Sequence, residues 1–310
     1  MTEGPFKPIP HIQIRPWRQF FIFIGLFAFA YVAGNILGVI VALAKYGKPV
    51  LDNVGAGKMD TDHAVSALWV LQFFGTTFPL LVTPVIFSYF TVKEPDEYLK
   101  NHFHFSGWLV ILVSAIMILA MPLIEFLGIV NQKIHLAQWM IDYEKSLTKY
   151  EIAMMNMRSL GDVIYSTLFI GLLTAIVEEI FFRGCLQTIL LRWTKNIYAA
   201  IWVTAILFSA FHIEFSGFIP RVLLGVLFGY FVAWSGSIWP AILAHFVNNG
   251  TIVVWNYFYQ HKITGLDPNG PQMFNNTGYI ISFILTLVLL FVYKYISDKW
   301  HLAHHGEELD

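Results

Sequence analysis

The stretch that most constrains this chain runs from Ala175 to Gln187 and reads A-I-V-E-E-I-F-F-R-G-C-L-Q. Leu172 and Leu173 precede it and Ile189, Leu190 and Leu191 follow it, so Glu178, Glu179 and Arg183 fall inside a span apolar enough to cross a bilayer. A central acid or base costs roughly 2.5–3.5 kcal/mol to insert and therefore faces a protein interior or a wet cavity. Glu179 and Arg183 are four apart with the acid first, the favourable order for a pair on one helical face. Glu178 is turned about 100° away from Glu179. Arg183 can neutralise one carboxylate; the other is left for chemistry.

Fifty-seven per cent of the 310 residues are hydrophobic and 13% charged, with a mean hydropathy of +0.62. A soluble domain of that composition would have to expose the excess, so the expected class is an all-α polytopic membrane protein. A bilayer core needs about 20 apolar residues per helix. Such segments lie near residues 19–44, 68–92, 108–130, 163–186, 198–212, 222–234, 238–259 and 279–296, giving about eight transmembrane helices around a polar cavity. The expected organisation is a polar N-terminal tail over 1–18, one transmembrane domain over 19–300 with its motif-bearing core at 162–259, and a polar tail over 301–310. A net charge of −1 without a basic block excludes nucleic acid as a partner. The single Cys185 excludes an internal disulfide.

Two other stretches invite interpretation. Gly55–Lys58 reads G-A-G-K, but a phosphate loop needs Gly at 52 and Ser or Thr at 59, where this chain has Asp52 and Met59. The segment 45–63 is therefore expected to be a solvated loop. Residues 131–160 mix apolar and charged positions in the manner of an amphipathic helix lying at the interface or capping the bundle mouth. Glu125 is expected at a span end, and Arg221, after Pro220, to snorkel from a helix start.

Further polar positions interrupt later spans: His212, and His245 with Asn249 one turn apart. From Glu178 to a turn near Lys195 is 17 residues, and from there to His212 another 17. At about 1.5 Å per residue the two antiparallel legs match, which puts His212 level with Glu178. A similar count through Ser235–Ser237 returns His245 and Asn249 toward mid-membrane. Glu178 suits a general base for water, His212 can orient that water or protonate a leaving amine, and Asn249 offers a neutral donor. Glu178, His212 and His245 would also make a zinc site of the His₂Glu type, although the spacing lacks H-E-x-x-H.

Glu-Glu-x-x-x-Arg at 178–183, Phe-x-x-x-His at 208–212 and His-x-x-x-Asn at 245–249, in this order on successive helices, resemble the three motifs of the CPBP family. That family contains the Rce1-type CAAX prenyl endopeptidases and the bacterial Abi proteins. The resemblance implies an intramembrane endopeptidase in which Glu178 and His212 activate water and His245 and Asn249 complete the site. Glu179 and Arg183 are then supporting or substrate-orienting. It further implies a protein or peptide substrate associated with the membrane, no required cofactor, and a multi-pass location in the bilayer, the inner or plasma membrane in a bacterium. A non-catalytic scaffold or chaperone of the same fold is the first alternative reading. A proton-coupled transporter is the second, since intramembrane Glu and His also relay protons.

Overall fold

The computed structural model describes residues 14–268, 270 and 273–305; most of the expected N-terminal tail, 1–13, and residues 306–310 lie outside the described residues. The described residues form helices and no strand. In chain order these are α1 Pro16–Tyr46, α2 Lys48–Gly55, α3 Asp62–Thr91, α4 Pro95–Leu99, α5 Trp108–Leu119 and α6 Met121–Gln132. They continue with α7 Gln138–Met154, α8 Leu160–Thr194, α9 Ile197–Phe211, α10 Phe218–Ser235, α11 Trp239–Gln260 and α12 Asn276–His305.

By length and apolarity, five helices (α1, α3, α8, α10 and α12) can each cross a membrane, and six can if α5 and α6, bent by 42° at their junction, count as one span. The chain is an integral multi-pass membrane protein. The count of about eight is not reached on this criterion, for physical reasons. Helix α9 has only 15 residues, short of the bilayer's requirement, and α11 carries His245, Asn248 and Asn249 in its middle. Two tail and loop boundaries also differ from expectation. Lys48–Gly55 is helical because Pro49 sits in its first turn, where a missing N–H costs nothing. Helix α12 continues through His305, so 301–305 are helix rather than tail.

The site-bearing helices α8–α11 are fixed by their turns. Ser159 and Asp162 form a reciprocal capping box at the start of α8. The expected turn at Lys195 is present: its backbone is left-handed and its N–H closes on Leu191 O, while the Asn196 side chain caps α9 through Ala199 N. At the next reversal Gly236 takes φ +68, a conformation glycine adopts without steric cost. Helices α9 and α10 then approach very closely, since a Cβ added at Gly225 would lie 2.9 Å from both Cα and Cβ of Ala205. Within α8 two stretches, Thr167–Leu173 and Ile180–Leu186, wind as π-helix on either side of the two glutamates. Thr174 and Thr188 bond back to the carbonyls five residues earlier, Phe169 and Arg183, and π turns of this kind recur at functional positions.

Within the segment 131–160, α7 covers Gln138–Met154 and has no buried residue. Glu125 accepts from the amides of Met273 and Phe274. Arg221 does not snorkel; it pairs with the Glu214 carboxylate and donates to Glu214 O at 3.3 Å.

Candidate active site

Arg183 is among the largest fully buried side chains of the described residues, and both of its terminal nitrogens are partnered. Its Nη1 lies 2.7 Å from Glu179 Oε1, and both side chains are wholly excluded from solvent. Its Nη2 donates to Gly225 O on α10 at 3.1 Å; the glycine's lack of a side chain there lets that backbone come close. The guanidinium carbon sits 4.5 Å from the Phe208 ring centroid and 5.2 Å from that of Phe228, positions that add cation–π attraction in a desolvated setting. The expected Glu179–Arg183 pair is thus present and locked between α9 and α10.

Glu179 Oε1 also receives His245 Nδ1 at 2.9 Å. A carboxylate only accepts, so Nδ1 carries the proton, and in the neutral ring Nε2 keeps a lone pair. That lone pair faces Glu178: Nε2 is 3.8 Å from Glu178 Oε2. His212 is set in the same way by a different partner. Its Nδ1 donates to Phe208 O at 2.8 Å, and its Nε2 lies 3.9 Å from Glu178 Oε2. The rings are held by aromatic contact: His245 stacks on Phe228 at 5.0 Å and 22°, and His212 meets Phe208 edge-on at 4.9 Å.

Glu178 Oε2 is therefore a buried carboxylate oxygen with no hydrogen-bond partner among the described residues, facing two imidazole lone pairs just beyond bonding range. A water about 2.8 Å from that oxygen can reach either Nε2 at normal hydrogen-bond length. The side chain of His212 is 29% exposed against 6% for Glu178 and 5% for His245, so the centre opens on the His212 side. The matched-depth argument from helix rise placed Glu178, His212, His245 and Asn249 in one cavity; the first three meet, with both imidazole Nε2 atoms 3.8–3.9 Å from one Glu178 carboxylate oxygen.

Asn249 stands differently. Its Nδ2 donates to Ile170 O at 3.2 Å, and its Oδ1 accepts from Asn248 Nδ2 at 3.0 Å. The amide is tied to the first π stretch of α8 and makes no hydrogen bond to Glu178 or either imidazole. One N–H is left to donate elsewhere.

Among the described residues no group of three or more His, Cys, Asp or Glu is disposed to hold a metal ion. Zinc bonds of about 2.0–2.1 Å in tetrahedral array bring ligand atoms about 3.4 Å apart, so the two imidazole nitrogens, 3.8 and 3.9 Å from Glu178 Oε2, would have to close in by about half an ångström. Cys185 is fully buried and serves as a small core residue of the apolar cluster around Phe181 and Phe182.

Sequence reasoning missed Phe228, which backs His245 and Arg183, and the Gly225 carbonyl. Phe228 is one of 28 phenylalanines and nothing local marks it. The Gly225 acceptor had a faint signal, because Gly225 and Gly229 are four apart on α10 and Arg183 and Gln187 four apart on α8. Gln187 Nε2 donates to Gly229 O at 3.3 Å, so two side chains of one stripe address two carbonyls of the other.

Fold and centre together define a helical membrane protein with a buried glutamate–histidine site. Residues 160–251, which carry the three motifs, match the family model described as Type II CAAX prenyl endopeptidase Rce1-like. An 84-residue stretch is 30% identical to the Bacillus subtilis (strain 168) "Uncharacterized protein YpbD", covering 26% of this chain and 40% of that relative. No solved structure matches the chain.

Proposed function

We propose that the protein is an intramembrane endopeptidase that hydrolyses peptide bonds of membrane-associated protein or peptide substrates with water activated by Glu178. The observation that carries this reading is the free Glu178 Oε2 set 3.8 and 3.9 Å from two imidazole Nε2 atoms while Arg183 neutralises the neighbouring acid. Glu178 takes one proton of a bound water as its oxygen attacks the scissile carbonyl. His245, held in one tautomer by Glu179, accepts the water's second O–H bond and fixes its direction. His212 Nε2, at the open side, takes that proton from Glu178 and passes it to the leaving amine nitrogen as the C–N bond breaks, which returns Glu178 to its carboxylate form. The remaining Asn249 N–H suits the oxyanion, because it donates as a neutral group, whereas His245 Nε2 donates only as the imidazolium. No step requires a metal. The inner or plasma membrane is the proposed location.

Purified protein in lipid nanodiscs, given a quenched fluorescent peptide, tests the reading. Glu178→Gln is expected to lower turnover by about 10²–10⁴, the range for a lost general base, with parent activity unaffected by chelator. Equal turnover by parent and Glu178→Gln removes the peptidase reading, and loss on chelation restored by zinc replaces the mechanism with a metal one.

A further inference from the structure

The segment immediately after His212 is held in a conformation its own sequence disfavours. Ile213 has φ +52, a left-handed conformation that is a genuine outlier for a β-branched residue and persists only where the surroundings over-determine it. The surroundings can be named. Asn131 at the end of α6 donates to Phe215 O at 2.8 Å and accepts from Ile219 N at 2.7 Å. Ser209 Oγ donates to Phe218 O at 2.8 Å, and Arg221 grips Glu214. The remaining tie comes from outside the bundle: Glu144 on α7 accepts the Phe215 and Ser216 amides, the latter at 2.8 Å, through the one oxygen Oε1. Near the start of α7, Trp139 meets Phe215 edge-on at 5.4 Å.

Helix α7 has no fully buried side chain, although at its C-terminal end Tyr150, Ala153 and Met154 pack partly buried against Val54, Ala64, Ala67 and Leu68. Away from this turn, Tyr150 OH donates to Val54 O at 3.3 Å, and just beyond the helix end Gln260 Nε2 donates to Met155 O at 2.7 Å and the exposed Arg158–Asp62 pair closes at 2.8 Å. We infer that Glu144 is a positioning residue for His212: through the amides of Phe215 and Ser216 it fixes the turn from which the histidine at the open side of the centre is presented. The inference rests on the peptidase reading for its catalytic consequence but not for its structural one. A carboxylate accepting two backbone N–H groups makes charge-assisted bonds, and a displacement of about 1 Å at a catalytic group can cost about 10²-fold in rate. Glutamine keeps an acceptor oxygen at the same reach; alanine does not.

The test compares parent, Glu144→Ala and Glu144→Gln as full chains in nanodiscs by three readouts: amide hydrogen exchange over residues 213–218, modification of His212 by diethyl pyrocarbonate located by mass spectrometry, and kcat with KM. Glu144→Ala is expected to speed exchange at least tenfold, to raise His212 modification, and to lower kcat by about 10- to 100-fold with KM within about threefold. Glu144→Gln is expected to recover most of each loss. Unchanged exchange in Glu144→Ala overturns the inference, as does faster exchange with parent-like His212 reactivity. If the parent turns over no peptide, the peptidase reading fails while exchange and His212 modification still decide the role of Glu144.

Discussion

Replacing Arg183 by Met keeps an unbranched apolar stem and removes the charged guanidinium group, which isolates what the guanidinium does. Three things are lost: the 2.7 Å pair with Glu179, the 3.1 Å bond to Gly225 O, and the attraction to the Phe208 and Phe228 faces. The dominant effect is on what remains. Glu179 is fully buried, and without Arg183 it keeps only the His245 Nδ1–H as a hydrogen-bond donor. Removing one member of a buried pair costs about 3–5 kcal/mol because the other charge is left uncompensated. The aromatic contacts add about 1–2 kcal/mol in a desolvated site, partly recovered by the methionine's own packing. Glu179→Gln combined with Arg183→Met removes the stranded charge and is expected to be less destabilised than the single Arg183 variant, with a coupling of about 0.5–3 kcal/mol. Reversible unfolding in mixed micelles with increasing SDS, read by intrinsic tryptophan fluorescence, measures all four proteins of the cycle. A loss below about 1 kcal/mol for Arg183→Met, or strict additivity in the double variant, would refute the claim that Arg183 serves chiefly to neutralise Glu179.

Three further outcomes are expected. Gly225→Val places a Cβ 2.9 Å from the Ala205 backbone and is expected to destabilise by about 1–3 kcal/mol, measured by the same unfolding. Asn249→Ala is expected to lower kcat by about 10²–10³ with little change in KM, the signature of a lost oxyanion donor. Lys100 lies in the segment between α4 and α5, and burial pushes its amine down from the usual 10.5 to about 8. Between those two pH values the unfolded chain holds a proton that the folded chain has shed, so stability rises with pH across the window. The gain is about 3 kcal/mol; unfolding measured from pH 7 to 10.5 is expected to show it, and Lys100→Met to flatten it.

Depth along helices was legible in the sequence because the rise per residue is nearly fixed, which is why Glu178, His212 and His245 could be brought to one level by counting from Lys195 and Ser235. Azimuth was less so. The two π stretches around Glu178 and Glu179 carry no sequence mark that distinguishes them from α-helix, yet they turn the helix enough for Ile170 O to meet Asn249. The partner of Arg183 was readable from i to i+4 spacing, since both ends lie on one helix. Its aromatic walls and the Gly225 carbonyl were not, because they arrive from other helices through packing. Charges on α7 read as a solvated face, and Glu144 is singled out only by the turn it reaches. The count of spans was uncertain where polarity and span length compete, in α9 and α11.

A structure of the protein bound to a phosphinic peptide, whose tetrahedral phosphorus stands in for the hydrated carbonyl, tests the central claim most directly. The account predicts one phosphinyl oxygen within about 2.6–3.2 Å of Glu178 Oε2, bridging toward His212 and His245, and weaker binding by Glu178→Gln. Phosphinyl oxygens bound far from Glu178, or equal affinity for both proteins, would contradict it.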